Sequence, residues 1–167
     1  MSGQVVWLTG LPQSGKSTLA ARLQAALAPR RPCVVLDSDQ VRAVLGDEEY
    51  GPVDRERFYQ TLSRLAALLA RQGHVVVVAA TAASLRYRAY ARALAPRYLE
   101  VWVRTSLEDC QARDQKGLYA RARAGEAPHL PGMGAAYEPP ASADVVADGG
   151  LDDRALTELL QQIEQAR

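Results

Sequence analysis

The 167-residue sequence has only two cysteines and no long apolar run. Cys33 and Cys110 have neither a CxxC spacing nor a companion histidine, so we expect two reduced thiols with a structural role. The longest apolar runs, such as residues 75–80, are far below the roughly 18 residues that span a bilayer. The N-terminus also lacks a basic region followed by an apolar one. We therefore expect a cytoplasmic protein without a membrane partner.

A large net charge is lacking as well. Lys+Arg 20 and Asp+Glu 19 give a formal net charge of +1, so no global electrostatic field recruits nucleic acid. An anionic ligand must then be bound at a local site. Lysine is scarce, because the 20 basic residues include only two lysines, Lys16 and Lys116. A lysine is a compact point charge where an arginine is a planar fork, and both lysines lie inside sequence motifs.

Apolar runs alternate with helical patterns along the chain. The length fits one compact domain, and we predict a single domain over residues 1–167. Apolar strands separated by helices are typical of a parallel sheet that helices cover on both faces. We therefore predict an α/β fold with about five parallel strands. The strands are predicted at 5–9, 33–37, 74–79, 98–103 and 144–147, and the helices at 17–27, 40–45, 54–72, 85–94, from about 106, and at 152–165.

Residues 114–140 differ in character from the rest of the chain, and we predict that they form a mobile lid. Arg121 and Arg123 lie beside Lys116 in this segment. A lid that closes over nucleotides would bring these charges towards a transferring phosphoryl group. His129 is a lone histidine in a loop, and we predict no ligand or catalytic role for it.

Two further patterns have structural explanations. Thr105 and Glu108 have capping-box spacing around Ser106, which indicates the start of the fifth helix. The helix predicted at 85–94 carries arginines whose spacing favours an exposed, solvated face. These arginines are Arg86, Arg88 and Arg92.

Residues 10–17 read GLPQSGKS and fit the pattern G-x-x-x-x-G-K-[ST]. The segment follows an apolar strand and opens a helix, which is the context that a phosphate-binding loop requires. Its glycines let the backbone curl around an anion, Lys16 neutralises the β and γ phosphates, and Ser17 can ligate Mg²⁺. The sequence therefore predicts an ATP site. Its residues are Gly10, Leu11, Pro12, Gln13, Ser14, Gly15, Lys16, Ser17 and Thr18.

A carboxylate is needed close to the transferred phosphoryl group. The second strand ends in Asp37-Ser38-Asp39, whereas the third strand ends without an acid. We predict that Asp39 accepts the proton of an acceptor hydroxyl and holds the metal together with Ser17. Asp37 is the weaker candidate for the role of proton acceptor. An N-cap role of Asp39, in the helix predicted at 40–45, is compatible with this chemistry.

Beyond the phosphate loop, the sequence resembles the adenylyl-sulfate kinase (APS kinase) family nearly from end to end. Residues 113–119 read RDQKGLY, close to the RDPKGLY of that family, and are followed by ARAG at 122–125 and YEP at 137–139. Residues 36–42 read LDSDQVR, similar to LDGD-x-VR. The resemblance implies a P-loop kinase that uses ATP and Mg²⁺ to phosphorylate the 3′-hydroxyl of adenosine 5′-phosphosulfate (APS) in sulfate assimilation. It also implies a homodimer.

The resemblance implies roles for individual residues. Asp39 matches the aspartate that acts on the acceptor hydroxyl, and Arg42 matches the arginine that contacts the APS anion. Arg113 matches the arginine that lies against the ATP adenine, and Lys116 the lid lysine that reaches the bound nucleotides. The acceptor is then expected to contact Asp39, Arg42, Tyr50, Lys116, Leu118 and Tyr137.

The departures from the family concern the acceptor side. Phe58 and Gln60 stand where the family has an asparagine and an arginine that hold APS. We predict that exchanging them for Asn and Arg strengthens acceptor binding. Two alternatives stay open: a small-molecule kinase with another hydroxyl acceptor, and a nucleotide-binding module that no longer transfers a phosphoryl group.

Overall fold

The structure of the protein is a computed structural model that describes residues 3–165. Five strands form one sheet with the order β2-β3-β1-β4-β5, and every neighbouring pair is parallel. This confirms the predicted α/β fold and the predicted number of strands. The strands are β1 (Gln4–Thr9), β2 (Cys33–Asp37), β3 (Val75–Ala79), β4 (Tyr98–Val103) and β5 (Val145–Ala147).

Helices connect the strands and cover both faces of the sheet. Val6 and Leu8 of β1 pack with the first and last helices on one face, while Val5 and Trp7 pack with the third and fourth helices on the other. Successive side chains of a strand point to opposite faces, so a doubly covered strand is apolar throughout. The helices are α1 (Lys16–Leu27), α2 (Ser38–Leu45), α3 (Pro52–Arg71), α4 (Leu85–Leu94), α5 (Leu107–Arg113), α6 (Leu118–Arg123) and α7 (Asp153–Gln165).

The caps of α2 and α5 differ from those that the sequence patterns indicated. The N-cap of α2 is Asp37, whose side chain accepts a hydrogen bond from the backbone N–H of Asp39 at 3.0 Å. Asp39 therefore lies inside the first turn, and its carboxylate does not cap the helix. The N-cap of α5 is Ser106, which accepts from the N–H of Asp109 at 3.1 Å rather than through a capping box of Thr105 and Glu108.

The predicted exposed arginine face of α4 is wrong for one of its three members. Arg88 is only 1% exposed, and its guanidinium donates to the carbonyl oxygens of Ala82 and Glu138. Arg86 is exposed and pairs with Glu56, and Arg92 is half exposed beside Glu100. Arginine spacing on a helix gives relative angles between side chains but does not fix which side faces the core.

Both cysteines are free thiols, Cys110 buried and Cys33 partly buried, as predicted. Burial raises the pKa of the Cys33 thiol to about 11. A thiol with such a pKa is a poor nucleophile at neutral pH, which fits a structural role. Within residues 3–165, no helix is both long and apolar enough to cross a membrane.

Candidate active site

A cavity of about 560 Å³ opens at the carboxyl ends of β1, β2 and β3. Ligands of parallel α/β sheets bind at this edge. The phosphate loop forms one wall, the β2–α2 junction a second, and residues 113–131 close over them. The cavity brings together most of the predicted site residues: Pro12, Gln13, Ser14, Gly15, Lys16, Ser17, Thr18, Asp39, Arg42, Tyr50, Arg113, Lys116 and Leu118.

The backbone of the phosphate loop is tightly enclosed. Gly15 has a φ of +105°, and a Cβ placed there would lie 2.5 Å from the backbone nitrogen of Gly150. A Cβ on Gly10 would lie 2.6 Å from the carbonyl oxygen of Val103. Both positions therefore require glycine, one for its conformation and both for space.

Lys16 crosses its own loop. Its Nζ donates hydrogen bonds to the carbonyl oxygens of Gly10 at 2.9 Å and Leu11 at 2.8 Å. Burial of the ammonium group lowers the pKa of Lys16 to about 8, although Asp39 and Asp37 act in the opposite direction. Phosphate oxygens placed beside the ammonium group would favour its charged form. The loop thus holds a poorly solvated ammonium group at a position where an anion would stabilise its charge.

An oxygen-rich corner lies where α1 meets β2. Ser17 donates a hydrogen bond from Oγ to Oδ2 of Asp37 at 2.6 Å, and Asp39 lines the same cavity. A hydroxyl and carboxylates are the hard oxygen ligands that Mg²⁺ prefers, with phosphates and water completing its shell. These residues fit a nucleotide-bound Mg²⁺. In residues 3–165 no cluster of three or more His, Cys, Asp or Glu residues could hold a metal without a ligand's help.

Asp39 and Lys116 meet across the mouth of the cavity. The Lys116 ammonium group donates a hydrogen bond to Oδ2 of Asp39, and both side chains are more than half exposed. The hydrogen bond and the charge of Asp39 raise the pKa of Lys116. The lid lysine therefore reaches the carboxylate that was predicted from the sequence to act on the acceptor. The pair engages one of the two carboxylate oxygens of Asp39.

Arg42 lines the cavity and contacts two aromatic rings. Its guanidinium carbon lies 3.7 Å from the ring centroid of Phe58 and 4.5 Å from that of Tyr50. The guanidinium also pairs with Asp47 at 3.3 Å and donates to the carbonyl oxygen of Glu49 at 3.2 Å. The two rings and these polar partners fix the guanidinium in place at the cavity wall. This geometry suits binding of a planar or tetrahedral anion by a preorganised fork.

Phe58 is a core residue, so the expectation that it stands in the acceptor site is wrong. It is 2% exposed, packs among the buried residues beneath β3, and does not line the cavity. Gln60 does not line the cavity either. Phe58 is connected to the site through its ring, which stacks on the guanidinium of Arg42.

We expect Phe58→Asn, alone or with Gln60→Arg, to destabilise the protein by about 3 kcal/mol or more. The substitution removes a buried ring and leaves an amide without a polar partner in the core. Urea unfolding monitored by circular dichroism measures the loss, and Gln60→Arg alone is the matched control. A double variant of unchanged stability that also binds an acceptor more tightly would contradict this result and restore the expectation from the sequence.

Tyr59 and Arg55 are among the cavity residues that the sequence analysis missed. Tyr59 accepts a hydrogen bond from the N–H of Ala82 through its hydroxyl oxygen at 2.9 Å, and burial raises its pKa. Arg55 donates to the carbonyl oxygen of His129 at 3.0 Å and adds a cation to the wall. Asp54-Arg55 resembles an Asp-Arg pair of the family pattern, which was the available signal for Arg55. No sequence pattern indicated Tyr59.

Three predicted site residues lie outside this cavity. Gly10 is packed beneath the phosphate loop, and Leu11 and Tyr137 line a neighbouring crevice instead. The Tyr137 hydroxyl lies 3.0 Å from Oγ1 of Thr9, at the base of the loop. The structure therefore does not bring Tyr137 into the predicted acceptor contacts. Its position is that of an anchor between β1 and the end of the lid.

The beginning of the lid is attached to the phosphate loop. Tyr119 is buried in α6 and donates a hydrogen bond from its hydroxyl to the carbonyl oxygen of Pro12 at 2.7 Å. Asp114 accepts from the N–H groups of Tyr119 and Ala120, and these bonds lower the pKa of Asp114. Of the two lid arginines, Arg121 lines the cavity and Arg123 does not. His129 lines it too, with its carbonyl oxygen bound by Arg55.

The fold and the site define a P-loop kinase: a parallel sheet whose central strand leads into a phosphate loop, with carboxylates and lid cations over one cavity. The Adenylylsulphate kinase family model matches residues 2–148. The chain therefore belongs to the adenylylsulphate kinase family, as the sequence resemblance predicted.

Individual relatives agree with this assignment. The chain is 41% identical to an adenylyl-sulfate kinase of Paraburkholderia xenovorans (strain LB400) over 149 residues, 87% of this chain and 83% of the relative. It is 38% identical to the bifunctional enzyme CysN/CysC of Mycobacterium tuberculosis (strain CDC 1551 / Oshkosh) over 92% of this chain but only 26% of that protein. The solved structure of the Mycobacterium tuberculosis APS kinase CysC in complex with AMPPNP and APS is 36% identical, with a TM-score of 0.89 over 98% of both chains.

Proposed function

We propose that the protein transfers the γ-phosphoryl group of ATP to the 3′-hydroxyl of APS, which is the reaction of its family in sulfate assimilation. The observation that carries the proposal is the shared cavity: Lys16, Asp39 and Arg42 all line it. A phosphate-binding cation, a proton acceptor and an anion-binding fork are the parts that such a transfer needs. The family membership supports APS as the acceptor.

The phosphate loop binds the donor. Its backbone surrounds the β and γ phosphates, and Lys16 exchanges its contacts with the carbonyl oxygens of Gly10 and Leu11 for contacts with phosphate oxygens. Arg113, at the cavity wall, covers the adenine. Ser17, Asp37 and Asp39 would hold Mg²⁺, which neutralises phosphate charge when it is bound. Asp37 was the weaker candidate from the sequence, and its hydrogen bond with Ser17 is the reason it joins this set.

Asp39 is the general base of the proposal. When nucleotides occupy the cavity, their phosphates compete for Lys116 and release the carboxylate of Asp39. The freed carboxylate accepts the proton of the 3′-hydroxyl as the oxygen attacks, and Lys116 remains close to the phosphates. Holding these groups in one cavity converts an encounter of two nucleotides into an oriented reaction.

The acceptor is bound on the side of α2 and α3. Arg42 and Arg55 supply positive charge for the phosphosulfate group, and Tyr50 offers an exposed ring for a base. Leu118 adds an apolar contact from the lid. A different small hydroxyl compound is the second candidate acceptor, because neither Phe58 nor Gln60 lines the cavity and the polar pair of the family pattern therefore adds no contact for APS.

The test is release of ADP from ATP against a panel of hydroxyl acceptors headed by APS, with adenosine 5′-monophosphate as the matched compound that lacks sulfate. We expect APS-dependent ADP release that vanishes without Mg²⁺. Release with another compound but not with saturating APS would favour the second candidate. If none of the compounds supports ADP release although ATP binds tightly, the result would favour a nucleotide-binding module that no longer transfers a phosphoryl group.

The remaining partner predictions are part of the same proposal. We expect a cytoplasmic enzyme with small nucleotides as its partners, without nucleic acid or membrane, and assembled as a homodimer. Sedimentation of the purified chain measures the assembly, and the lid over residues 114–140 is expected to become protected from proteolysis when ATP is added.

A further inference from the structure

The end of the lid is tied to the loop that follows β3. We call residues 81–84, between β3 and α4, the rim loop. The N–H of Glu138 donates to the carbonyl oxygen of Ala83 at 2.8 Å. Oγ1 of Thr9 donates to the carbonyl oxygen of Thr81 at 2.6 Å and lies 3.0 Å from the Tyr137 hydroxyl. The rim loop and residues 137–138 thus form one connected wall.

Arg88 joins the two halves of this wall. Its Nη1 donates to the carbonyl oxygen of Ala82 and its Nη2 to that of Glu138, both at 2.5 Å. The side chain is 1% exposed, and Glu100 lies 3.5 Å from its Nε and balances the charge. A guanidinium keeps its charge when buried and offers donors in a fixed fork. One side chain can therefore fix two carbonyl groups at a set separation.

The loop that Arg88 holds does not have a relaxed backbone. Ala82 has a φ of +42°, a conformation that residues with a side chain rarely adopt. Both backbone polar groups of Ala82 are hydrogen-bonded. Its N–H donates to the Tyr59 hydroxyl, and its carbonyl oxygen accepts from Arg88. Such strain persists only when the surrounding structure holds it, and it concentrates at functional sites. Thr81 and Ala83, on either side of Ala82, line the cavity.

From the rim loop, contacts lead to Thr9 at the base of the phosphate loop and also to the acceptor side of the cavity. The Tyr59 ring packs edge-on against Phe58 at 5.4 Å between centroids, and Phe58 in turn lies under Arg42. A continuous series of contacts therefore runs from Arg88 through Ala82 and the two rings to the Arg42 fork. Lys16, in contrast, is bonded within its own loop.

We propose that Arg88 is a positioning residue for acceptor binding: it holds the rim loop and the end of the lid in the geometry that places Tyr59 and Arg42. The inference rests on the proposed function, since it takes APS as the acceptor. Arg88 touches neither nucleotide in this account. It sets the shape of the wall against which the acceptor lies.

The test compares Arg88→Lys, Arg88→Met and the matched control Arg92→Met, which lies on the same helix and also faces Glu100. APS and ATP are varied separately in the coupled assay. We expect Arg88→Met to raise KM for APS at least about tenfold, the scale of a lost charged hydrogen bond, with KM for ATP within about threefold. Arg88→Lys keeps the charge but replaces the wide planar fork with a compact ammonium group, so its KM for APS should lie between those of the parent protein and Arg88→Met.

A purely structural role gives another result. It would lower the melting temperature of the Arg88 variants while leaving KM for APS unchanged at temperatures where they are folded. That outcome, or an equal rise of KM for APS and ATP, or a similar rise in Arg92→Met, overturns the proposal. If Arg88→Met does not fold, Arg88→Lys carries the comparison.

Failure of the proposed function is recognised separately, because the parent protein would then show no APS-dependent ADP release. In that case, amide hydrogen exchange still tests whether Arg88 holds the rim loop and residues 137–138 together. Arg88→Lys should exchange the Glu138 N–H, which is bonded to Ala83, at least about tenfold faster than the parent, and Arg92→Met should not. Unchanged exchange at that amide in Arg88→Lys overturns the positioning role whatever the acceptor is.

Discussion

Asp39→Asn is expected to lower turnover by roughly 10²–10⁴-fold while ATP binding stays within a few-fold, which is the loss typical of a general base. The amide keeps the size of the side chain and its place in the first turn of α2, but it cannot accept a proton. The backbone N–H of Asp39 remains bonded to Asp37, so the helix start is unaffected. Steady-state ADP release, together with titration of ATP binding by calorimetry, measures the two quantities.

Asp37→Asn is the matched control at the same strand end. Asparagine caps a helix about as well as aspartate, so α2 should persist. The contact of Asp37 is with Ser17, and its loss should act on the Mg²⁺ requirement more than on turnover at saturating Mg²⁺. A larger fall in turnover for Asp37→Asn than for Asp39→Asn would transfer the base assignment to Asp37.

The fold was predictable because each strand is buried on both faces and therefore apolar along its length. Residues 75–79 are all buried, and the sequence there is VVVVA. The phosphate loop was predictable for a local reason, since the residues of its motif are contiguous and lie between an apolar strand and a helix. Patterns of this kind depend on neighbours in sequence, and one chain displays them directly.

The side-chain directions on α3 and α4 could not be predicted in the same way. Phe58 and Arg88 are buried because of how their helices lie on the sheet, which no local pattern specifies. A buried arginine is an exception to the usual exposure of its residue type, and it requires partners from distant segments: here Ala82, Glu100 and Glu138. The resemblance located Tyr137 in a motif, but only the structure gave its contact with Thr9.

Lys16 carries the second large effect. Lys16→Ala is expected to leave a folded protein whose affinity for ATP falls at least about tenfold and whose turnover falls by roughly 10²–10³-fold. Its ammonium group lies in a loop and contributes little to the core, while its charge is needed where negative charge develops on the phosphates. Calorimetric titration with ATP and ADP-release assays measure the two losses, and a melting curve checks the fold.

Lys16→Arg should fail as well, although it keeps the charge. The Lys16 ammonium group fits between two carbonyl oxygens at 2.8 and 2.9 Å within a closed loop, and a planar guanidinium is too wide for that position. Arg86→Ala removes an exposed basic residue that pairs with Glu56 away from the cavity, so it should behave as the parent protein does. Near-normal turnover in Lys16→Ala would remove the phosphate loop from the mechanism, because Lys16 is the only basic residue between Gly10 and Thr18 and no second cation of that loop could take over the charge. Near-normal turnover in Lys16→Arg would show that a charge suffices there without the compact shape of lysine.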